Sequence, residues 1–372
     1  MDMPLFIGSE IYRGSSYGPD HPLRVPRVPT VTDLARRLGW IAPGQFRQSP
    51  RARPAALAAF HTPAYIAALA RAEETQSVDA ATRARHGLGT PSNPVFPEMF
   101  RRPATAAGGS LLAAELVAGG GVVHNPGGGT HHGMADRAAG FCYLNDPVLA
   151  LTRLRTLGLG RLAYVDIDAH HADGVEAAFA GAEGMLLVST HEERRWPFTG
   201  ALADHAGGVA LNLPLPRGAH DGDAARALDE LILPAVARHR PDAIVLQCGA
   251  DAVTEDPLSR LAWSNNAHLA AVRALRPLAP RLIVLGGGGY NPWSVGRAWT
   301  SVWATLAGHE IPERLPPAAE EVLRGLRWTH RLGRNPPEHW FTTLRDAPRE
   351  GPPTPGVAER IAALRTRLRA EV

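Results

Sequence analysis

Six short runs of apolar and β-branched residues recur between residues 121 and 287, and longer stretches of helical period lie between most of them. The runs are GVVHN (121–125), RLAYVDID (161–168), MLLVST (185–190), VALNLPL (209–215), AIVLQCG (243–249) and RLIVLGG (281–287). The helical stretches fall near 145–157, 222–238, 264–279 and 294–307. Near-continuous apolar strands need cover on both faces, and crossover helices supply it, so the alternation predicts an α/β domain around a mostly parallel sheet. Local punctuation agrees: Asp146 followed by Pro147 suits a helix start and Gly158 a helix end. Of the 372 residues 45% are hydrophobic, enough for one large core. Pro-rich stretches at 312–317 and 349–355 flank a C-terminal region that closes with VAERIAALRTRLRAEV. Ile361, Leu364 and Leu368 form a stripe on that final helix, a docking face. The expected organisation is a catalytic domain over 1–315 and a helical extension over 316–372 packed on or beside it.

Composition removes several classes of function. All 39 basic residues are arginine, which excludes lysine Schiff-base and P-loop chemistry. The net charge is +3, but the arginines are scattered without interleaved aromatics, so no nucleic-acid partner is expected. Apolar runs break well before the roughly 18 residues of a membrane span, and MDMPLFIGSE has no basic start followed by an apolar stretch. No membrane partner and a cytoplasmic location are therefore expected. Cys142 and Cys248 are too few for a disulfide framework or a cysteine-type zinc site.

In an open α/β sheet, ligands bind outside the carboxyl ends of the strands, so polar residues directly after the apolar runs are the ones to weigh. After GVVHN comes a glycine turn and then His131 and His132. RLAYVDID delivers Asp166 and Asp168, followed by His170, His171 and Asp173; AIVLQCG delivers Asp251 and RLIVLGGGG delivers Tyr290. Asp168 and His170, two apart, share a side if the strand continues in extended form. Adding Asp251 makes a three-ligand site with an open position for water, as catalytic zinc requires; a mixed carboxylate and imidazole set also suits Fe(II) or Mn(II). His131 and His132 need carboxylate partners to act as acid and base, and Asp166 and Asp173 are the candidates. Tyr290, on a loop of four glycines, suits a donor to a developing oxyanion.

The blocks NPGGGTHHGMADRAAGFCYLND (125–146), YVDIDAHHADGVEAAF (164–179), QCGADAVTEDP (247–257) and LGGGGYNPWSVGRAW (285–299) together resemble the zinc-dependent histone deacetylase superfamily. The resemblance spans roughly 5–310, includes FHTPAYIAAL (60–69), and is closest to bacterial acetoin-utilisation and class I enzymes. It implies a three-layer αβα arginase/deacetylase-like domain and removal of acyl groups from N-acyl-lysine. It further implies zinc on Asp168, His170 and Asp251, with Tyr290 as oxyanion donor. His132, oriented by Asp173, would be base and then acid; His131, paired with Asp166, would act electrostatically. Gly140, Phe141 and Gly288 would line a substrate tunnel, with Trp196 as the opposite wall. A structural potassium ion would fall among Asp166, Asp168, His170, Ser189 and Thr190.

Two segments depart from the family. The rim loop GLGTPSNPVF (87–96) lacks the acid that relatives place there, and RRWPFTGALADHAGG (194–208) replaces a PGTG turn. Peptide-backbone recognition is thereby left open, as is homo-oligomerisation. An acylated polyamine or other small acylated amine is the nearest alternative substrate; such a site should show acids at its mouth, and Glu192 and Glu193 are the nearest in sequence. A two-manganese ureohydrolase needs more bridging carboxylates than DIDAHHAD and GAD provide, and a non-catalytic acyl-lysine binder would not need every catalytic position intact. Blander readings hold elsewhere: His171 as a packed residue, GLGRLA (158–163) as a helix end, the two cysteines as small hydrophobes, and 328–341 as a packed surface segment.

Overall fold

A computed structural model of the chain describes residues 3–370. Its centre is one sheet of eight strands: β1 (Leu5–Gly8), β2 (Phe46–Gln48), β3 (Gly121–Asn125), β4 (Leu162–Asp166), β5 (Met185–Glu192), β6 (Ala210–Leu215), β7 (Ala243–Gln247) and β8 (Arg281–Leu285). Their order is β2-β1-β3-β8-β7-β4-β5-β6. Every neighbouring pair is parallel, so the sheet is wholly rather than mostly so, and the six runs read from sequence are six of its strands. The two strands the pattern missed are β1 and β2, four and three residues long, too short for a periodic signal.

The central strands show why their sequences are apolar throughout. In β4, Ala163 and Val165 pack into one layer while Leu162 and Tyr164 pack into the other; Ile244 and Leu246 of β7 oppose Ala243 and Val245 in the same way. That is the two-residue period of a strand covered on both faces. Helices Arg101–Leu116, Asp146–Thr156 and Asp173–Phe179 cover one face. The other is covered by helical residues 221–239, which include a π turn at Leu228–Ile232, and by Asn266–Leu275. Helix Pro292–Ala307 carries Trp293, Trp299 and Trp303 into a further cluster with Phe6.

The C-terminal region is embedded in these layers. Leu315, Ala319, Leu323, Trp340 and Leu344 are buried in the tryptophan cluster. Val357, Ile361 and Leu364 of helix Val357–Ala370 lie in the sheet core, with Leu368 packed beside them. Residues 371–372, the end of the expected helix, lie outside the described residues. Among the described residues, no helix is long and apolar enough to cross a membrane.

Removing the buried side chain of Ile361 leaves a cavity, so Ile361→Ala is expected to cost about 2–5 kcal/mol. Urea unfolding checks this: the loss should appear in the main transition, whereas a new early transition would show the helix to unfold independently.

Candidate active site

The site grows from four loops at the carboxyl ends of β3, β4, β7 and β8. After β3 the chain turns through Gly127, Gly128 and Gly129, and this turn is held by Asp146. Its buried carboxylate accepts from Gly129 N at 2.9 Å, Thr130 N at 2.8 Å and Ser110 Oγ at 2.5 Å, and from the Thr130 hydroxyl. Asn145 Nδ2 donates to the carbonyls of His131 (3.0 Å) and Gly133 (2.9 Å). The backbone carrying the two histidines is thus clamped from the helix that follows it.

His131 and His132 each have their own carboxylate. His131 Nδ1 lies 2.7 Å from Asp166 Oδ2, His132 Nδ1 lies 2.6 Å from Asp173 Oδ1, and the two Nε2 atoms face each other at 2.9 Å. Burial opposes protonation of both rings. At His131 the charges of Asp166 and Asp168 outweigh it and raise the pKa to about 9. At His132 burial, together with the neighbouring His131 charge, outweighs Asp173 and lowers it to about 4. The pair shares one proton, and His132 is the neutral member.

Beside the pair, Asp168, His170 and Asp251 bring one donor atom each to within 4.8 Å of one another, all buried. Strand β4 ends at Asp166, so extended geometry is not what aligns Asp168 with His170. Two successive side-chain turns do: Asp168 N donates to Asp166 Oδ1 and His170 N to Asp168 Oδ1, both at 2.9 Å. Asp251 Oδ1 accepts from Ala169 N at 3.0 Å, and its Oδ2 lies 3.0 Å from His170 Nδ1. Gly288 N donates to Asp168 Oδ2 at 2.7 Å. A Cβ at Gly288 would stand 1.9 Å from Asp251 Oδ2, so only glycine lets this backbone close the cradle.

The charge balance fits a cation. Burial opposes a proton on His170, yet Asp251 and Asp168 override it and raise its pKa to about 10; the Asp251 carboxyl is itself pushed up by burial and by Asp168. Two carboxylates and a His170 imidazole that would give up its proton on binding form a buried, net negative set of oxygen and nitrogen donors, which fits a divalent metal of the zinc or Fe(II) type. Among the described residues this is the one such cluster.

An outer chamber of about 230 Å³ opens onto these groups, walled by Phe141, Trp196, Tyr290 and Leu258. Gly140 and Phe141 both have left-handed backbone, at φ 52° and 68°, and a Cβ at Gly140 would meet the Trp196 ring at 2.3 Å. Trp196 sits edge-on to His132 with centroids 4.6 Å apart, and Phe141 edge-on to Tyr290 at 5.7 Å. Burial, then Asp251 and Asp168, pushes the Tyr290 phenol well up, which keeps it a neutral donor. Tyr290 N donates to Asp256 Oδ2 at 2.6 Å.

The residues expected around potassium are all buried at the ends of β4 and β5, with Asp166 and Ser189 in register. Thr190 Oγ1 donates to the Asp166 carbonyl at 3.3 Å, while the Ser189 hydroxyl pairs with His191 Nδ1 at 3.0 Å. His171 lies between Thr199 Oγ1 and Glu176 Oε2, a hydrogen-bonded packing role. Sequence reasoning missed Arg27 and Asp256. Arg27 borders an inner chamber of about 50 Å³ and donates to the Gly287 carbonyl at 2.6 Å. It stands just before helix Val28–Arg37, away from the strand-end loops where site residues were sought, whereas Asp256 could have been found as an acid five residues after a candidate ligand.

The chain is similar over most of its length to known proteins of one family. The histone deacetylase domain family matches residues 21–306. Acetoin utilization protein AcuC of Bacillus subtilis is 33% identical over 326 residues, covering 83% of this chain and 84% of that protein. Histone deacetylase 9 of Arabidopsis thaliana is 34% identical over 313 residues, covering 82% of this chain and 73% of that one. The crystal structure of an HDAC homolog from Aquifex aeolicus superposes with a TM-score of 0.93 at 34% identity, covering 98% of this chain and 100% of that chain.

If the three-donor cluster holds a metal, the purified protein should carry about one divalent ion per chain, and Asp251→Ala should carry almost none while keeping its far-ultraviolet circular dichroism. Elemental analysis decides it; wild-type protein that takes up no metal would sink the assignment.

Proposed function

The chain belongs to the histone deacetylase family, and from that premise we propose that it is a zinc-dependent hydrolase removing acetyl or related acyl groups from N-acyl-lysine. The observation that carries this reading is the shared-proton His131–His132 pair, each ring backed by its own carboxylate, standing beside the Asp168–His170–Asp251 cluster at the foot of a walled chamber. Asp168, His170 and Asp251 would hold the metal, zinc or alternatively Fe(II). When bound, it supplies Lewis-acid polarisation of the acyl carbonyl and lowers the pKa of the attacking water.

The protein's own groups do the rest. Asp173 accepts a hydrogen bond from the His132 proton on Nδ1, leaving the Nε2 lone pair turned to the site. In this structure that lone pair faces His131 Nε2; a water entering the site would take that place and give its proton to His132. The water oxygen, relieved of that proton, bonds to the acyl carbon; the amide C–N bond then breaks, and the same proton passes from His132 Nε2 to the departing lysine nitrogen, leaving a carboxylic acid and a free amine. His131, held cationic by Asp166 and Asp168, opposes charge build-up on the negative side of the reaction. The Tyr290 hydroxyl donates to the oxygen of the tetrahedral state, and Phe141 with Trp196 grips the aliphatic chain and excludes bulk water. The same reading keeps potassium among Asp166, Asp168, His170, Ser189 and Thr190 as a structural ion.

Hydrolysis of an acetyl-lysine peptide by zinc-loaded protein tests the proposal. Tyr290→Phe is expected to lower kcat by roughly 10²–10³ and His132→Ala by roughly 10²–10⁴. Turnover unchanged in either variant would remove that residue from the mechanism.

A further inference from the structure

This inference rests on the deacylase reading and concerns which acylated amines it accepts. A polyamine substrate carries further ammonium groups, and these need carboxylates at the mouth. Glu192 is buried, and its two oxygens accept from Arg195 Nε (2.8 Å) and NH2 (2.7 Å), from Ser259 Oγ (3.2 Å) and from Arg260 N (2.7 Å). Glu193 pairs with Arg360 of the C-terminal helix at 2.7 Å and borders a separate hollow with Phe198 and Pro214. The rim loop contributes Ser92 to the chamber, and the segment after β7 contributes Leu258.

Among the described residues the chamber wall therefore carries no carboxylate, and its one arginine is Arg195. Two of the three guanidinium nitrogens of Arg195 are locked on Glu192, in a two-point geometry that fixes the plane of the fork. The third, NH1, has no partner among the described residues, and the side chain is 27% exposed. A rigid, charged donor at a mouth that also reaches His132 and Tyr290 is placed to take an acceptor oxygen of the substrate, not an ammonium group.

We propose that Arg195 is a specificity-determining residue, its NH1 donating to a carbonyl or carboxylate oxygen beside the acylated side chain. The substrate is then an acyl-lysine presenting its own main-chain oxygens, as a peptide or a free amino acid, and acylated polyamines are rejected.

The test compares kcat/KM of metal-loaded protein on four amides: a blocked acetyl-lysine peptide, Nε-acetyl-lysine, monoacetylspermidine and N-butylacetamide, which has no main-chain acceptor. The expected wild-type preference for the peptide over monoacetylspermidine is at least about tenfold. Arg195→Gln, which can still hydrogen-bond Glu192, should reduce the peptide to N-butylacetamide ratio about tenfold, through KM. In the Tyr290→Phe background the same change should raise the peptide Kd by a similar factor, read by calorimetry. Free Nε-acetyl-lysine behaving like the peptide assigns the docked oxygen to the acyl-lysine's own C1 carbonyl group, which both carry; a preference for the peptide alone assigns it to a carbonyl of a neighbouring residue. Monoacetylspermidine hydrolysed as well as the peptide, or an unchanged ratio in Arg195→Gln, overturns the inference and leaves the deacylase reading standing. No turnover of any amide overturns that reading, and this inference with it.

Discussion

Four aspartates, Asp146, Asp166, Asp168 and Asp251, are wholly buried at the carboxyl end of the sheet, and an unpaired charge there would cost several kcal/mol. Compensation comes from backbone N–H groups and histidines of other loops. Asp146 takes the glycine turn after β3; Asp166 takes His131, Tyr164 and the backbone of Asp168; Asp168 takes His170 N and Gly288 N; Asp251 takes Ala169 N. Asp146 to the glycine turn, Asp166 to His131, Asp168 to Gly288 and Asp251 to Ala169 tie together segments far apart in sequence, while Tyr164, Asp168 N and His170 N close local turns around Asp166 and Asp168. Shifting one loop would strand a carboxylate on another, which makes the arrangement cooperative and keeps the donor atoms in place.

The sheet matters because it brings those loops to one edge. Asp166 lies in register with Ser189 and Gln247, so the residues that follow β4 and β7 emerge side by side. This much is legible in the sequence: central strands covered on both faces read as unbroken apolar runs, and the polar residues after them fall at the site. The convergence of Asp168 with His170 was also legible, though for a different reason, since hydrogen-bonded turns beyond Asp166 align them. Asp146 reads as a helix start, and its larger role in holding Gly129 and Thr130 leaves no separate trace because one residue does both jobs.

What the sequence did not disclose depends on loop path. Arg27 reaches the site from the start of helix Val28–Arg37, not from the end of a strand, and β1 and β2 are too short to announce themselves. Glu192 ends β5 and Glu193 follows it, just before a segment in which Arg194 and Phe198 adopt left-handed backbone at φ 54° and 64°. As neighbours at the end of a strand the two glutamates point to opposite sides, one beneath Arg195 and one toward Arg360, and residue types alone do not tell which of the two turns to the chamber side.

The two ends of the chamber thus answer to different physics. At the base, buried charges constrain every position, because a substitution leaves a carboxylate or imidazole without its partner in a water-poor interior. At the mouth, groups are partly solvated and each contact is worth less, so residue identity is free to vary without undoing the fold. Trp196 spans the boundary: its ring closes against Gly140 and His132 on the inside while its chain neighbour Arg195 faces the opening. Chemistry set at the base and selectivity set at the rim can therefore change independently.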